Sequence, residues 1–227
     1  MYTIGITARY DLDKKNIILR ETYRKWLKKD FRIKLIIPND QREYNDILNT
    51  CDLLIINGGD DINPTYYHEK NYHSLLEDPI IEQLDLDLID LFYKAHKPII
   101  GICRGIQIIN VYFKGSLIQE IKNYNTMIDH QKNQHHLVIN KNTVLGKYFK
   151  ENIVLNSFHH QCIKEIAPKF NISAISEDGF IEAIEKDNII GVQWHPELMD
   201  DIHKTLFIKM IKALLINHYD KNSQLLQ

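Results

Sequence analysis

The sequence is poor in the features that mark several large protein classes. It has only three cysteines, Cys51, Cys103 and Cys162, with no Cys-x-x-Cys spacing and no even framework. That excludes a disulfide scaffold and a cysteine-built zinc ribbon, so reduced thiols are expected. No apolar run approaches the roughly 18 residues needed to span a bilayer. The start, Met1 to Ile6, enters a strand-like run with neither a basic segment nor a cleavage site, and a cytoplasmic location is expected. A formal net charge of −2 argues against a nucleic-acid partner held by bulk electrostatics, and no membrane partner is expected. Internal repeats and Pro/Gly/Ser-rich linkers are absent. What remains is 227 residues, 44% hydrophobic and 26% charged, enough to bury one sizeable core. One domain over residues 1–218 is expected, with a frayed tail over 219–227.

Strands and helices alternate through the first half. Thr3 to Thr7, Ile33 to Ile37 and Asp52 to Ile56 read as strands, and Leu19 to Lys29 and Glu43 to Asn49 as helices. Asp78 to Ala95 is a long helix whose Ile81, Leu84, Leu88, Leu91 and Phe92 form one core-facing stripe. The second half is richer in strands: His136 to Asn140, Ile153 to Asn156, Ile172 to Ile175, Phe180 to Glu185 and Ile189 to Trp194, before a last helix from Asp201 to Asn217. The pattern predicts an α/β fold, a mostly parallel central sheet flanked by helices, with a more strand-rich second half. Residues 61–77, carrying Tyr66, Tyr67, His68, Tyr72 and His73, read as an exposed insert at the end of a strand, where open α/β sheets build their sites.

One stretch organises the chemistry. Ile99, Ile100 and Ile102 end a buried strand, Gly101-Ile102-Cys103-Arg104-Gly105 turns, and an amphipathic segment from Ile106 to Phe113 follows. Strand, Gly-x-Cys-x-Gly turn and helix make the cysteine form of a nucleophile elbow. The glycines remove side chains where strand and helix nearly touch, and the helix start favours a thiolate over a thiol. A cysteine nucleophile needs a base, and the base an orienting acid. An apolar strand delivers His195 to its end, Pro196 stops the sheet, and Glu197 can turn back to the same imidazole. Gly58-Gly59, at the end of a neighbouring strand, and the N–H of Arg104 are candidate oxyanion donors. A packing thiol and a surface His-Pro-Glu turn are the plain alternatives, and it is the pairing of the two motifs that favours catalysis.

These residues resemble a class I glutamine amidotransferase-like domain, and within that superfamily the γ-glutamyl hydrolase branch, peptidase family C26. The resemblance covers most of the chain. It rests on Ile4-Gly5-Ile6-Thr7, Gly58-Gly59-Asp60-Asp61-Ile62-Asn63-Pro64, Gly101 to Val111 with Gly115 to Glu120, Asn156-Ser157-Phe158-His159-His160-Gln161, and Gly191 to Glu197. It implies flavodoxin-like layering and a Cys103–His195–Glu197 triad. It also implies oxyanion N–H groups from Gly59 and Arg104, and substrate contacts from Gly58, Gln107, Ser157, Phe158 and His159, with His160 part of the signature but without an assigned role. Lys114 departs from the pattern, standing where the branch often has a second glycine, and the chain is short for that branch.

The resemblance implies a cofactor-free hydrolase that forms a glutamyl thioester on Cys103 and acts on a small γ-glutamyl conjugate. The leading specific expectation is γ-glutamyl-CDP-amidate, a conjugate of capsule phosphoramidate synthesis, with Arg9, Arg20 and the Tyr/His-rich insert meeting the phosphates. The rival is γ-glutamyl-γ-aminobutyrate. The alternative function is a glutaminase subunit that delivers ammonia to a separate synthetase partner, and the intact triad disfavours a catalytically dead binding domain. The spacing of His130, His135, His136, His159 and His160 fits no standard zinc pattern such as His-Glu-x-x-His, so no metal is expected.

Overall fold

The computed structural model describes residues 1–11, 13, 15–38, 43–124, 126, 128–131 and 133–224. Strand β1 (Thr3–Thr7) leads into a small antiparallel pair, β2 (Arg9–Tyr10) and β3 (Ile17–Ile18). Then come α1 (Glu21–Leu27), β4 (Arg32–Ile36), α2 (Tyr44–Thr50), β5 (Leu53–Ile56), α3 (Pro79–Lys94), β6 (Ile99–Ile102) and α4 (Arg104–Tyr112). The second half contributes β7 (Ser116–Ile118), β8 (Asn133–Ile139), β9 (Asn152–Ser157), β10 (Cys162–Glu165), β11 (Asn171–Ser176), β12 (Ile181–Lys186) and β13 (Ile189–Val192). Helix α5 (Asp201–Gln224) closes the chain.

Eleven of these strands form one sheet in the order β4-β1-β5-β6-β13-β12-β11-β8-β9, with β10 branching from β12 to β7. The five strands from β4 to β13 are parallel, and the extension beyond β13 is antiparallel. Every residue of β5, β6 and β13 is buried, as parallel strands covered on both faces require. One face packs Tyr23, Trp26 and Leu27 of α1 with Phe207 and Ile211 of α5. The other packs Leu84, Leu88 and Phe92 of α3 with Ile106 and Ile109 of α4. Helix α3 starts as expected, with Pro79 in its first turn and the Asp78 carboxylate accepting from the Ile80 N–H at 2.8 Å.

Three local expectations change. Strands β7 and β10, three and four residues long, and the β2–β3 pair leave too short a pattern to read in sequence. Helix α5 runs to Gln224, through most of the expected tail, and residues 225–227 lie outside the described set. Its end is held by Tyr219, which stacks on Tyr2 at 5.7 Å and donates to the Asp52 carboxylate. Residues 61–77 are exposed at Tyr66, His68, Tyr72 and His73, as expected, but the segment is anchored to the body. Asp61 and Leu75 pair through N–H to carbonyl at 2.8 Å, and Ile62 and Tyr67 are buried. Among the described residues no helix is long and apolar enough to cross a membrane.

Lys114 sits at φ +75°, in the left-handed region that favours glycine, and its side chain is exposed. That conformation suits the glycine that the resemblance leads one to expect at this place. Lys114→Gly is therefore expected to raise stability by about 1 kcal/mol, read as a higher urea midpoint at unchanged slope.

Candidate active site

The elbow is a close-packed junction of backbone. A Cβ on Gly105 would lie 2.1 Å from the Ile56 carbonyl oxygen, and one on Gly101 would lie 2.5 Å from the Gly105 carbonyl. Only glycine lets α4 descend onto β5 and β6 at this point. Between them Cys103 is held at φ +55°, ψ −110°, a strained backbone for a side-chain-bearing residue. Its N–H donates to the Val192 carbonyl at 2.9 Å, which locks the turn to β13. Cys103 is 9% exposed and opens into a cleft of about 700 Å³.

His195 arrives from the adjacent strand. Gly58 lies between the two residues: a Cβ there would be 3.3 Å from His195 Cε1 and 3.6 Å from Cys103 Cβ. His195 Nδ1 donates to Glu197 Oε1 at 2.7 Å, which leaves Nε2 for the cysteine. Burial pulls the imidazole pKa down, but the Cys103 thiolate and the Glu197 carboxylate outweigh it and push His195 up to about 10. The backbone of His195 is clamped at both ends by one side chain. Its N–H donates to Asn156 Oδ1, and its carbonyl accepts from Asn156 Nδ2, each at 2.9 Å.

A buried charge cluster supports the loop opposite. Asp85 of α3 accepts from Arg104 Nη1 and from Arg9 Nη1, and lies 3.0 Å from Arg9 Nη2. Arg9 in turn donates to the carbonyls of Gly58 at 2.9 Å and Asn57 at 2.8 Å. Glu77 and Glu82 stand 3.7 and 3.8 Å from the two guanidiniums. Burial, more than the neighbouring Arg104, lowers the Arg9 pKa, and Asp85 opposes that shift. The Gly58 N–H points to the Tyr23 hydroxyl at 3.4 Å. Tyr23 is held well above its usual pKa by burial and by the Glu197 charge.

The predicted residues divide by position. Cys103, His195, Gly58, Gly59 and Phe158 line the cleft, and Glu197 sits buried behind His195. Phe158 lies edge-on to His195 at 5.9 Å between ring centres. Gln107, Ser157 and His159 are packed beneath the cleft instead. Gln107 Nε2 donates to the Gln161 carbonyl and to Gln193 Oε1, and Gln193 Nε2 points at the Cys103 sulfur at 3.9 Å. Ser157 is fully buried and donates to the His130 carbonyl at 2.8 Å, while His159 turns toward Glu182. His160 Nε2 meets Asp61 at 3.0 Å and thereby fastens the 61–77 segment. Tyr66, Tyr67, His68, Tyr72 and His73 do not line the cleft, and Arg9 is consumed by its ion pairs. Asn156 and Gln193 lie inside the quoted motifs without an assigned role there, and Tyr23 carries no functional signal in sequence pattern. Asp85 leaves a faint mark there, as an acid within a helix rich in core residues.

The peptidase C26 family model matches residues 3–197, and the chain belongs to that family. It is similar to the glutamine amidotransferase-like protein YvdE of Lactococcus lactis subsp. lactis, 36% identical over 174 residues, 72% of this chain and 73% of that one. It is also similar to the γ-glutamyl-γ-aminobutyrate hydrolase PuuD of Escherichia coli K12, 29% identical over 136 residues, 53% of this chain and 54% of that protein. Among solved structures, a GMP synthase component from Thermoplasma acidophilum shares the fold, with a TM-score of 0.73 at 15% identity and 98% of both chains covered.

Two measurements follow from this geometry. Asp85→Asn leaves two buried guanidiniums short of a charge and is expected to cost about 3–5 kcal/mol in urea denaturation. His195, raised above the 6.5 of a free histidine, contributes stability that is full below that pH and lost as pH rises through about 10. In Cys103→Ala the thiolate is gone while burial remains, so the His195 titration followed by NMR is expected well below 10. An unchanged value would exclude the thiolate as its cause.

Proposed function

We propose that this chain is a cysteine hydrolase that cleaves γ-glutamyl amides and releases glutamate. The observation that carries the reading is a cysteine on a strained elbow, beside an imidazole whose far nitrogen donates to a buried glutamate. Cys103 Sγ attacks the γ-carbonyl carbon, and the C–O π electrons move onto oxygen. The N–H groups of Gly59 and Arg104 take that oxyanion; Gly58 is spoken for by Tyr23 and is the poorer donor. As the tetrahedral centre collapses, the C–N bond breaks and His195 delivers its proton to the leaving amine. A water, deprotonated by His195, then attacks the glutamyl thioester, and Cys103 leaves as thiolate with glutamate released. Glu197 keeps the imidazole in one tautomer through both halves.

Membership of the peptidase C26 family and the likeness to a γ-glutamyl-γ-aminobutyrate hydrolase support hydrolysis over ammonia delivery. Gly58 and Phe158 are the proposed substrate contacts at the cleft surface. Gln107, Ser157 and His159 act from behind, through Gln193, the His130 carbonyl and Glu182. For the leaving group, the lining bears on the two expectations differently. Among the described residues, Arg20 is its exposed basic residue, Arg9 is already paired, and Asp11, Asp13, Asp60 and Glu77 are acidic. One available guanidinium suits a single carboxylate better than a diphosphate, which favours γ-glutamyl-γ-aminobutyrate over γ-glutamyl-CDP-amidate.

The test is glutamate release from glutamine, γ-glutamyl-γ-aminobutyrate, γ-glutamyl-CDP-amidate and a folyl polyglutamate. Turnover of a γ-glutamyl conjugate well above glutamine is expected, with Cys103→Ala lower by on the order of 10⁴-fold or more. Turnover of glutamine alone would replace the hydrolase by a glutaminase that serves a synthetase. Activity retained in Cys103→Ala would overturn the mechanism.

A further inference from the structure

Four side chains, two from strands and two from turns, meet beneath the 156–161 turn. His130 precedes β8, His135 lies on β8, His159 follows β9 and Glu182 lies on β12; all are buried. Glu182 Oε1 stands 3.7 Å from His130 Nδ1, 3.4 Å from His135 Nε2 and 3.5 Å from His159 Nε2. Among the described residues, neither Glu182 oxygen, neither His135 nitrogen nor His159 Nε2 has a hydrogen-bond partner. Unpaired polar atoms at this depth cost stability unless something satisfies them.

The outer partners determine which atoms face inward. His159 Nδ1 is 3.0 Å from the Gln161 carbonyl, which only accepts, so Nδ1 carries the hydrogen and the lone pair sits on Nε2. His130 Nε2 is 2.9 Å from Asp178 Oδ2, a carboxylate, so its lone pair sits on Nδ1. Two imidazole lone pairs thus point at a carboxylate, acceptor against acceptor. A cation resolves the conflict at all these atoms together.

The spacing has the right size. Tetrahedral zinc with arms of about 2.0–2.1 Å places its ligand atoms roughly 3.3–3.4 Å apart. The ligand atoms of His130, His135 and Glu182 lie within 4.8 Å of one another, and small side-chain rotations close that set. A histidine that donates its outer nitrogen to a carboxylate, as His130 does to Asp178, is the usual support of a metal ligand.

We propose that His130, His135 and Glu182, with His159 completing the shell, bind one zinc-class divalent ion as a structural site. The set is three nitrogens and one oxygen, which suits zinc over magnesium or calcium. With four protein donors, the ion ties strands together and takes no part in the reaction. The His130 carbonyl accepts from Ser157 Oγ and from the His159 N–H at 2.9 Å, so the ion steadies the turn beside Asn156, which clamps His195.

The experiment uses the untagged full chain. Elemental analysis after dialysis against metal-free buffer is expected to find close to one zinc per chain. Protein unfolded with chelator and refolded with Co²⁺ is expected to show the visible bands of a tetrahedral site, and refolding with Zn²⁺ to raise the melting temperature over the metal-free form. Asp178→Asn is expected to keep the stoichiometry with zinc affinity about 10- to 100-fold weaker. His135→Asn is expected to abolish it. Trace metal, no cobalt spectrum and a melting temperature indifferent to zinc would overturn the proposal and leave a protonated histidine–glutamate cluster. Zinc bound equally by His135→Asn would be adventitious and would overturn it too. Should His135→Asn not fold, the wild-type metal content and cobalt spectrum decide alone.

Discussion

The carboxylate of Asp85 lies between two buried guanidiniums, and the geometry of the cleft depends on that contact. Arg104 follows the cysteine in the chain, and Arg9 holds the carbonyls of the glycine loop. One charge on α3 therefore sets the distance between the loop and the elbow. Desolvating these groups is costly, and the cluster is stable only when all its members are present. Its effect is positional: the glycine loop and the elbow belong to segments that cannot move apart without separating buried charges.

Close backbone contact does the rest on this side. Gly101 and Gly105 bring α4 against β5 and β6, and the resulting turn holds Cys103 at positive φ. The strain is opposed by the Cys103 N–H bond to β13 and by the apolar burial of α4. The imidazole is placed by different means. Asn156, from the antiparallel half, grips the peptide groups of His195, and Glu197 fixes its ring. Cys103 and His195 thus come from the parallel half of the sheet, while the support for the histidine comes from the extension. The proposed metal site would make that extension rigid where it touches the cleft.

Much of this is legible from pattern. The buried strands β5, β6 and β13 are short isoleucine- and leucine-rich runs, and the stripe of α3 has unmistakable helical spacing. The elbow is legible because a cysteine between two glycines after an apolar strand has few other uses. Strands β7 and β10 are not, since three or four residues carry no period. The end of α5 escapes sequence reading because its anchor, Tyr219 on Tyr2 and Asp52, is a contact across the whole chain. The expected substrate roles of Gln107, Ser157 and His159 rest on likeness to a motif. Which way those side chains turn is a matter of packing.

The sequence by itself determined the fold class and the family, and it singled out Cys103 and His195 as the candidate pair. Those follow from local order: hydrophobic period, glycine placement and residues adjacent in the chain. Only the tertiary structure decided that Arg9 is a paired, buried cation, because its partner Asp85 lies 76 residues away. Only it decided that His130, His135, His159 and Glu182 share one buried point. Strand pairing brings distant residues side by side, and no spacing along a chain records which strands will pair.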